Sequence, residues 1–169
     1  MPAAARRSML PLAVATALVA LALDQGSKLW VLEVMAMRWG EAREIVSGIL
    51  TFILSRNYGI NFGIGASDSD VVRWALVALS VGVAVAMMVW AARRAPRDAL
   101  FAVGAGLVAG GALGNGVDRA RLGAVTDFLN VTCCGIDNPF AFNVADVWIF
   151  AGVALLLWRT SGDGKRTTP

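Results

Sequence analysis

The chain has 169 residues, 57% of them hydrophobic and only 16% charged, with a mean hydropathy of +0.65 and a formal net charge of +3. That balance is far from a soluble domain's and fits one integral membrane domain. It carries no basic stripe interleaved with aromatics, which argues against nucleic-acid binding, and no histidine, so any acid–base chemistry must use Asp, Glu, Lys, Tyr or Cys.

Arg6 and Arg7 precede an apolar run from Met9 to Leu23. The run has the shape of a signal peptide with Ala20-Leu21-Ala22 as its cleavage site. The apolar character resumes at Leu29-Trp30-Val31-Leu32, so a retained first span over about 10–32 is expected. Asp24 and Lys28 fall in its final third, four residues apart and on one helix face, where they can pair. An unpaired charge there costs about 2.5–3.5 kcal/mol on insertion scales, so a structural ion pair is preferred to direct catalysis.

Residues 33–43 are mixed in charge and lie outside the lipid. From 44 to 64 the chain is rich in β-branched and aromatic residues, with Gly48 interrupting and Ser55-Arg56-Asn57-Tyr58-Gly59 ending the run. This predicts short strands with a turn, a small sheet at the membrane surface. Gly59, Gly63 and Gly65 permit tight turns. Asn57 either caps a turn or binds a substrate backbone, and its chemistry alone favours the turn.

The second span is expected over 71–92, with Arg73-Trp74 and Trp90 at the two interfaces. Arg93, Arg94 and Arg97 follow, and Pro96 breaks the helix. By the positive-inside rule this basic loop is cytoplasmic. The third span, about 99–117, carries Gly106, Gly110 and Gly114 in a four-residue row continued by Ala102, which lets helix backbones approach closely in lipid. Residues 118–143 are expected to form an external loop. They include Cys133 and Cys134, whose adjacency disfavours a mutual disulfide and which, without histidine or a second cysteine pair, offer no zinc site. A fourth span is expected over about 144–158.

Four spans with both termini inside place the ends of spans one and three, the start of span four and both external segments on one side. Asp24, Lys28, Asn57, Asn115, Asp118, Arg119, Asp127, Asn143 and Asp146 then converge. Intramembrane ionisable residues are functional candidates by default. Asp118 sits beside Arg119, a neighbour that favours its ionised form and suits an orienting role. Asp127 has no adjacent base, so partial burial raises its pKa and readies it for proton transfer. The Asn143–Asp146 spacing is accounted for by an N-cap with an acidic residue in the first turn. Two carboxylates that share one proton remain the hydrolytic option. A proton-relay transporter and a non-catalytic binding or assembly factor are the other readings. Against the relay, the charges sit toward one interface and no internal repeat is evident.

Leu23-Asp24-Gln25-Gly26-Ser27-Lys28, Asn57 to Phe62, Gly110 to Arg119, Val125-Thr126-Asp127-Phe128 and Phe142-Asn143-Val144-Ala145-Asp146 together resemble the lipoprotein signal peptidases, or type II signal peptidases, in the family's order and over nearly the whole chain. The resemblance implies a membrane all-α fold of four transmembrane helices with a small extracytoplasmic β-sheet platform, one peptidase domain over 1–169. It implies a multi-pass protein of the bacterial inner membrane, with both termini cytoplasmic and the site toward the periplasm. The implied activity is that of an aspartic peptidase removing signal peptides from prolipoproteins just before a diacylglyceryl cysteine, with no metal or organic cofactor and with globomycin as inhibitor. The implied partners are that prolipoprotein and membrane lipid, with no nucleic acid, and the chain is taken as a monomer. By position Asp127 and Asp146 match the catalytic pair. Asn57, Asn115, Arg119 and Asn143 match residues lining or supporting the site. Asp24 and Lys28 match the first helix's polar motif, and Gly59, Gly111, Asp118, Val125, Phe142 and Ala145 match other family positions. Asn61 departs from the family's usual small residue, which bears on local loop packing or substrate preference.

Overall fold

The computed structural model describes residues 8–59, 69–94, 98–132 and 138–163. The expectations for Arg6, Arg7, Asn61, Gly63, Gly65, Pro96, Arg97, Cys133 and Cys134 lie outside these. Four helices long and apolar enough to cross a membrane carry the chain: α1 (Leu10–Leu29), α2 (Asp70–Arg93), α3 (Ala99–Leu122) and α4 (Val144–Asp163). Strands β1 (Ala42–Val46), β2 (Leu50–Asn57) and β3 (Val125–Val131) form one antiparallel sheet in the order β1-β2-β3.

Local chemistry starts and stops each helix. Pro11 lies in the first turn of α1, where its missing N–H costs nothing. The hydroxyl of Ser69 accepts from the amide of Val71 to cap α2, and the Asp98 carboxylate accepts from Phe101 to cap α3. Asp98 also holds Arg159 of α4 at 3.1 Å, which ties the two helices at the end remote from the sheet. Gly123 ends α3 in the left-handed conformation, φ +81°, a position where any side chain would be strained. Arg73 of α2 donates to the carbonyls of Arg119 and Ala120, satisfying the C-terminal end of α3. The interfacial position expected for Arg73 therefore includes a specific capping role.

α3 is the axis of the bundle. In its most apolar stretch 72% of residues are buried, against 11–22% in the other three helices. Those others keep large aliphatic side chains such as Leu18, Leu79, Val85 and Leu157 exposed, as lipid-facing helices do. The glycine row sets the spacing. A Cβ on Gly106 would meet the Ala13 carbonyl oxygen, one on Gly110 the Ala17 carbonyl oxygen, and one on Gly114 the Asp24 carboxylate, so the row of three faces α1. Gly104 and Gly111 press against α4 in the same way, and Gly116 against Ser80 of α2. Small residues thus line three faces of one helix, not the single face that the four-residue row suggested.

The sheet departs from expectation in one respect. The hairpin β1–β2 arises within the strand-rich segment, but the third strand comes from residues 125–131, inside the stretch expected to be loop. α3 also runs beyond 117, so Asp118 and Arg119 are helical residues. β3 pairs with β2 in the register Ser55↔Asp127, Arg56↔Thr126 and Asn57↔Val125. Phe52, Leu54 and Phe128 bury one face of this sheet against Val31 and Met37, where α1 continues as a π-helical turn, Trp30–Val34. Phe52 and Phe128 meet edge-on at 5.3 Å between ring centroids. A bridge between Leu129 and Phe142 then brings the residues before α4 onto the sheet.

Candidate active site

Strand alternation decides which way Asp127 points. Phe128 turns into the small core, so Asp127 turns the other way, toward the start of α4. There it lines a pocket of about 170 Å³ together with Asn57, Phe142, Asp146 and Val147. Both carboxylates are almost wholly buried, Asp127 at 2% exposure and Asp146 at 4%.

Asparagine amides hold the pair in place. Asn143 donates Nδ2 to Asp127 Oδ1 and to Asn115 Oδ1. Asn115 donates its own Nδ2 to Asp146 Oδ1 at 3.0 Å. Asn57 donates Nδ2 to Asp127 Oδ2 at 3.0 Å, while its Oδ1 accepts from the amide of Gly59. The turn-capping reading of Asn57 is therefore realised, and the same side chain also bonds Asp127. The same holds at α4. Asn143 Oδ1 accepts from the amide of Asp146, and Asp146 Oδ2 accepts from the amide of Asn143. This reciprocal capping box fixes Asp146 rigidly on the first turn.

Burial is the main cause that lifts Asp127 from an ordinary carboxylate value of 3.8 to about 6, with the nearby Asp146 charge adding to it. Amide donors from Asn143 and Asn57 pull the other way and do not cancel the rise. A carboxyl that keeps its proton to about pH 6 beside a second carboxyl is suited to sharing one proton.

Arg119 does not pair with Asp118. Its guanidinium donates to the carbonyls of Gly59 and Asn115, and Nε has no acceptor among the described residues. The partner of Asp118 is Lys28, at 2.9 Å. The adjacent-cation explanation for Asp118 is thus corrected: consecutive helical residues point about 100° apart, so neighbours in sequence seldom face each other. Lys28 also meets Asp24 at 2.8 Å, the ion pair expected within span one. Gln25 reaches both carboxylates, Asp24 at 3.0 Å and Asp118 at 2.9 Å. No role was read for Gln25, although its place between Asp24 and Lys28 on the same helix end was a usable signal.

All ten candidate residues lie at one end of the bundle. Asp127, Asp146, Asn57, Asn115 and Asn143 form one connected network, Arg119 and Gly59 close one side of it, and Asp24, Lys28 and Asp118 stand behind it.

A family model described as signal peptidase (SPase) II matches residues 16–161. A lipoprotein signal peptidase of Caulobacter vibrioides is 42% identical over 147 residues, covering 86% of this chain and 84% of that protein. One from Methylorubrum extorquens is 40% identical, covering 83% and 80%. A solved structure described as a bacterial membrane enzyme superposes with a TM-score of 0.82 at 24% identity, over 96% of this chain and 95% of the other, a likeness of fold.

Proposed function

This chain belongs to the signal peptidase II family, whose members are proteases, and on that basis we propose that it removes signal peptides from prolipoproteins by a two-carboxylate, activated-water mechanism. The observation that carries the mechanism is the pair Asp127 and Asp146, buried around one pocket and cross-linked by Asn143 and Asn115, in a chain without histidine.

Below about pH 6 the pair in the free enzyme shares one proton, which burial and the Asp146 charge draw toward Asp127. The ionised carboxylate takes a proton from water as the oxygen attacks the scissile carbonyl carbon. The protonated one donates to the carbonyl oxygen, giving a neutral tetrahedral diol. Return of a proton to the peptide nitrogen then lets the C–N bond break, releasing the signal peptide as a carboxylic acid and the lipoprotein as a free amine. The pair titrates as one unit throughout.

The lipid-modified substrate is supported by the surroundings of Arg119. Its side chain opens on a groove of about 250 Å³ between α2, α3 and α4, lined by Leu79, Val83, Val108 and Ile149. An acyl chain fits that apolar groove, with an ester oxygen as acceptor for the unpartnered Nε. In this reading the site end of the bundle faces the periplasm, the termini lie in the cytoplasm, and the chain acts as a monomeric single domain without cofactor. Purified enzyme is expected to cleave a diacylglyceryl-modified precursor at least about tenfold faster than the same precursor unmodified. Equal rates would overturn the lipid-dependent reading.

The pH dependence has a definite sign. The raised pKa of Asp127 means that the proton needed for catalysis is present below about 6 and lost above it. The alkaline limb of kcat/KM is therefore expected near pH 6. That of kcat lies higher, since bound substrate excludes water and deepens the burial. Stability carries the same signature. Between the unfolded value of 3.8 and the native value of about 6, the native state holds a proton that the unfolded chain has released, so stability falls as pH rises through that window. A kcat/KM profile flat from pH 5 to 8 would contradict the shared proton.

A further inference from the structure

The side chains behind the dyad form one connected device. Lys28 is buried, and its ammonium has three N–H bonds to place. They reach Asp24 Oδ2 at 2.8 Å, Asp118 Oδ2 at 2.9 Å and Asn115 Oδ1 at 3.4 Å, which lie in α1 and α3. Each of these acceptor side chains reaches onward to a dyad carboxylate or to the peptide N–H just ahead of one. Asp24 Oδ1 accepts from the amide of Ala145, the residue immediately before Asp146, at 2.9 Å. Asp118 Oδ2 accepts from the amide of Thr126, the residue immediately before Asp127, at 2.9 Å. Asn115 bonds Asp146 directly and shares the Asn143 amide with Asp127. Gln25 spans the two outer carboxylates.

We propose that Lys28, Asp24 and Asp118 form a yoke that sets the separation of the two catalytic carboxylates, gripping the backbone one residue ahead of each. The inference deepens the two-carboxylate reading and rests on it. The grip is on backbone amides, so it fixes strand β3 against helix α4 whatever the substrate, and it reaches the reaction only through the dyad. Lys28, Asp24 and Asp118 are therefore positioning residues. One ammonium between two carboxylates also explains why buried charge is tolerated there: Asp24 meets the cation through Oδ2 and accepts a peptide N–H at Oδ1, and Asp118 meets both through Oδ2.

Gly114 offers a test that alters no charge. A Cβ there would collide with the Asp24 carboxylate, which is already held by Lys28, Gln25 and Ala145, while no other side chain or backbone lies as near. Gly114→Ala therefore pushes one arm of the yoke and leaves every ionisable group in place. The charged groups facing Asp127 are Lys28 from α1, Arg119 from α3 and Asp146 from α4, with the neutral Asn57 from β2, and all are retained. Any movement of the pH profile then reports the carboxylate separation.

The experiment measures cleavage of a diacylglyceryl-modified precursor by purified full-length enzyme, for wild type, Gly114→Ala, Lys28→Met, Asp127→Asn and the control Gly82→Ala, whose added Cβ meets nothing within 4 Å. Gly114→Ala is expected to lower kcat by about 10- to 100-fold with KM within about threefold of wild type. Its alkaline limb in kcat/KM is expected to move down by about half a pH unit or more as Asp146 retreats from Asp127. Gly82→Ala should match wild type. Lys28→Met is expected to lower kcat at least as far as Gly114→Ala; should it fail to fold, Gly114→Ala decides alone. Wild-type kcat in folded Gly114→Ala, or lower thermal stability with kcat and the limb unmoved, would overturn the yoke. Activity surviving in Asp127→Asn would instead overturn the dyad itself, so the two failures are distinguishable.

Discussion

Asp127→Asn and Asp146→Asn are each expected to lower kcat by about 10³-fold or more, and the double variant no further than either single one. In the proposed mechanism the two carboxyls act as a unit. One must be ionised to take the water's proton while the other is protonated to give one, and an amide does neither. Asparagine preserves the size of each side chain, so the pocket of about 170 Å³ keeps its shape. The substitution at Asp127 leaves an oxygen for only one of the two amides that now donate to it, Asn143 or Asn57. A modest loss of stability follows, to be separated from catalysis by measuring unfolding of the same preparations. Full additivity in the double variant would mean independent roles, and cleavage surviving both substitutions would rule out the dyad. A proton-relay membrane protein built from the same residues would lose proton flux and show no cleavage in any form.

Gly110→Val is expected to destabilise the bundle by about 3 kcal/mol or more, or to prevent its accumulation. The first atom added at this position would overlap the backbone carbonyl oxygen of Ala17 and then the Ala20 side chain. A backbone carbonyl in the middle of α1 has no alternative rotamer, so the helices must separate. Separation would also weaken the contacts that Gly106 and Gly114 make along the same seam. Thermal unfolding in detergent checks this against Gly82→Ala in α2, where open space surrounds the new methyl group. The control is expected to be neutral or more stable by up to about 1 kcal/mol, because alanine favours helix over glycine. A Gly110→Val protein melting with wild type would show that α1 and α3 do not rely on backbone proximity.

The helices were legible because lipid demands long apolar runs, and interruptions such as Asp24 and Lys28 stand out against them. The row Gly106, Gly110 and Gly114 was legible as a seam because its period matches the helix. Gly104, Gly111 and Gly116 were not read as packing positions, since their neighbours lie on α4 and α2 and only the assembled bundle shows them. β3 was missed for a related reason. Val125 to Val131 includes Asp127 and Asn130, which weaken the strand pattern locally, and its pairing with β2 joins residues some 70 positions apart. The site followed the same division. Asp127 drew notice as a carboxylate with no adjacent base, and Asp146 as an acidic residue in a first helical turn after Asn143. The amides of Thr126 and Ala145, which anchor them, carry no side-chain signature at all. Asp118 was assigned the wrong cation because sequence adjacency stood in for spatial adjacency.

The scattered origin of the site bears on how the protein is made. Lys28 is supplied by the first helix, Asn57 by the first external segment, Asn115 and Arg119 by the third helix, Asp127 by the last strand and Asp146 by the fourth helix. A nascent chain inserted up to residue 142 already possesses Asp127, yet lacks Asn143, which orients it, and Asp146, which perturbs its proton affinity. On the proposed two-carboxylate mechanism, proteolytic competence therefore arrives only with the final span. A chain truncated before Asn143 is expected to show no cleavage.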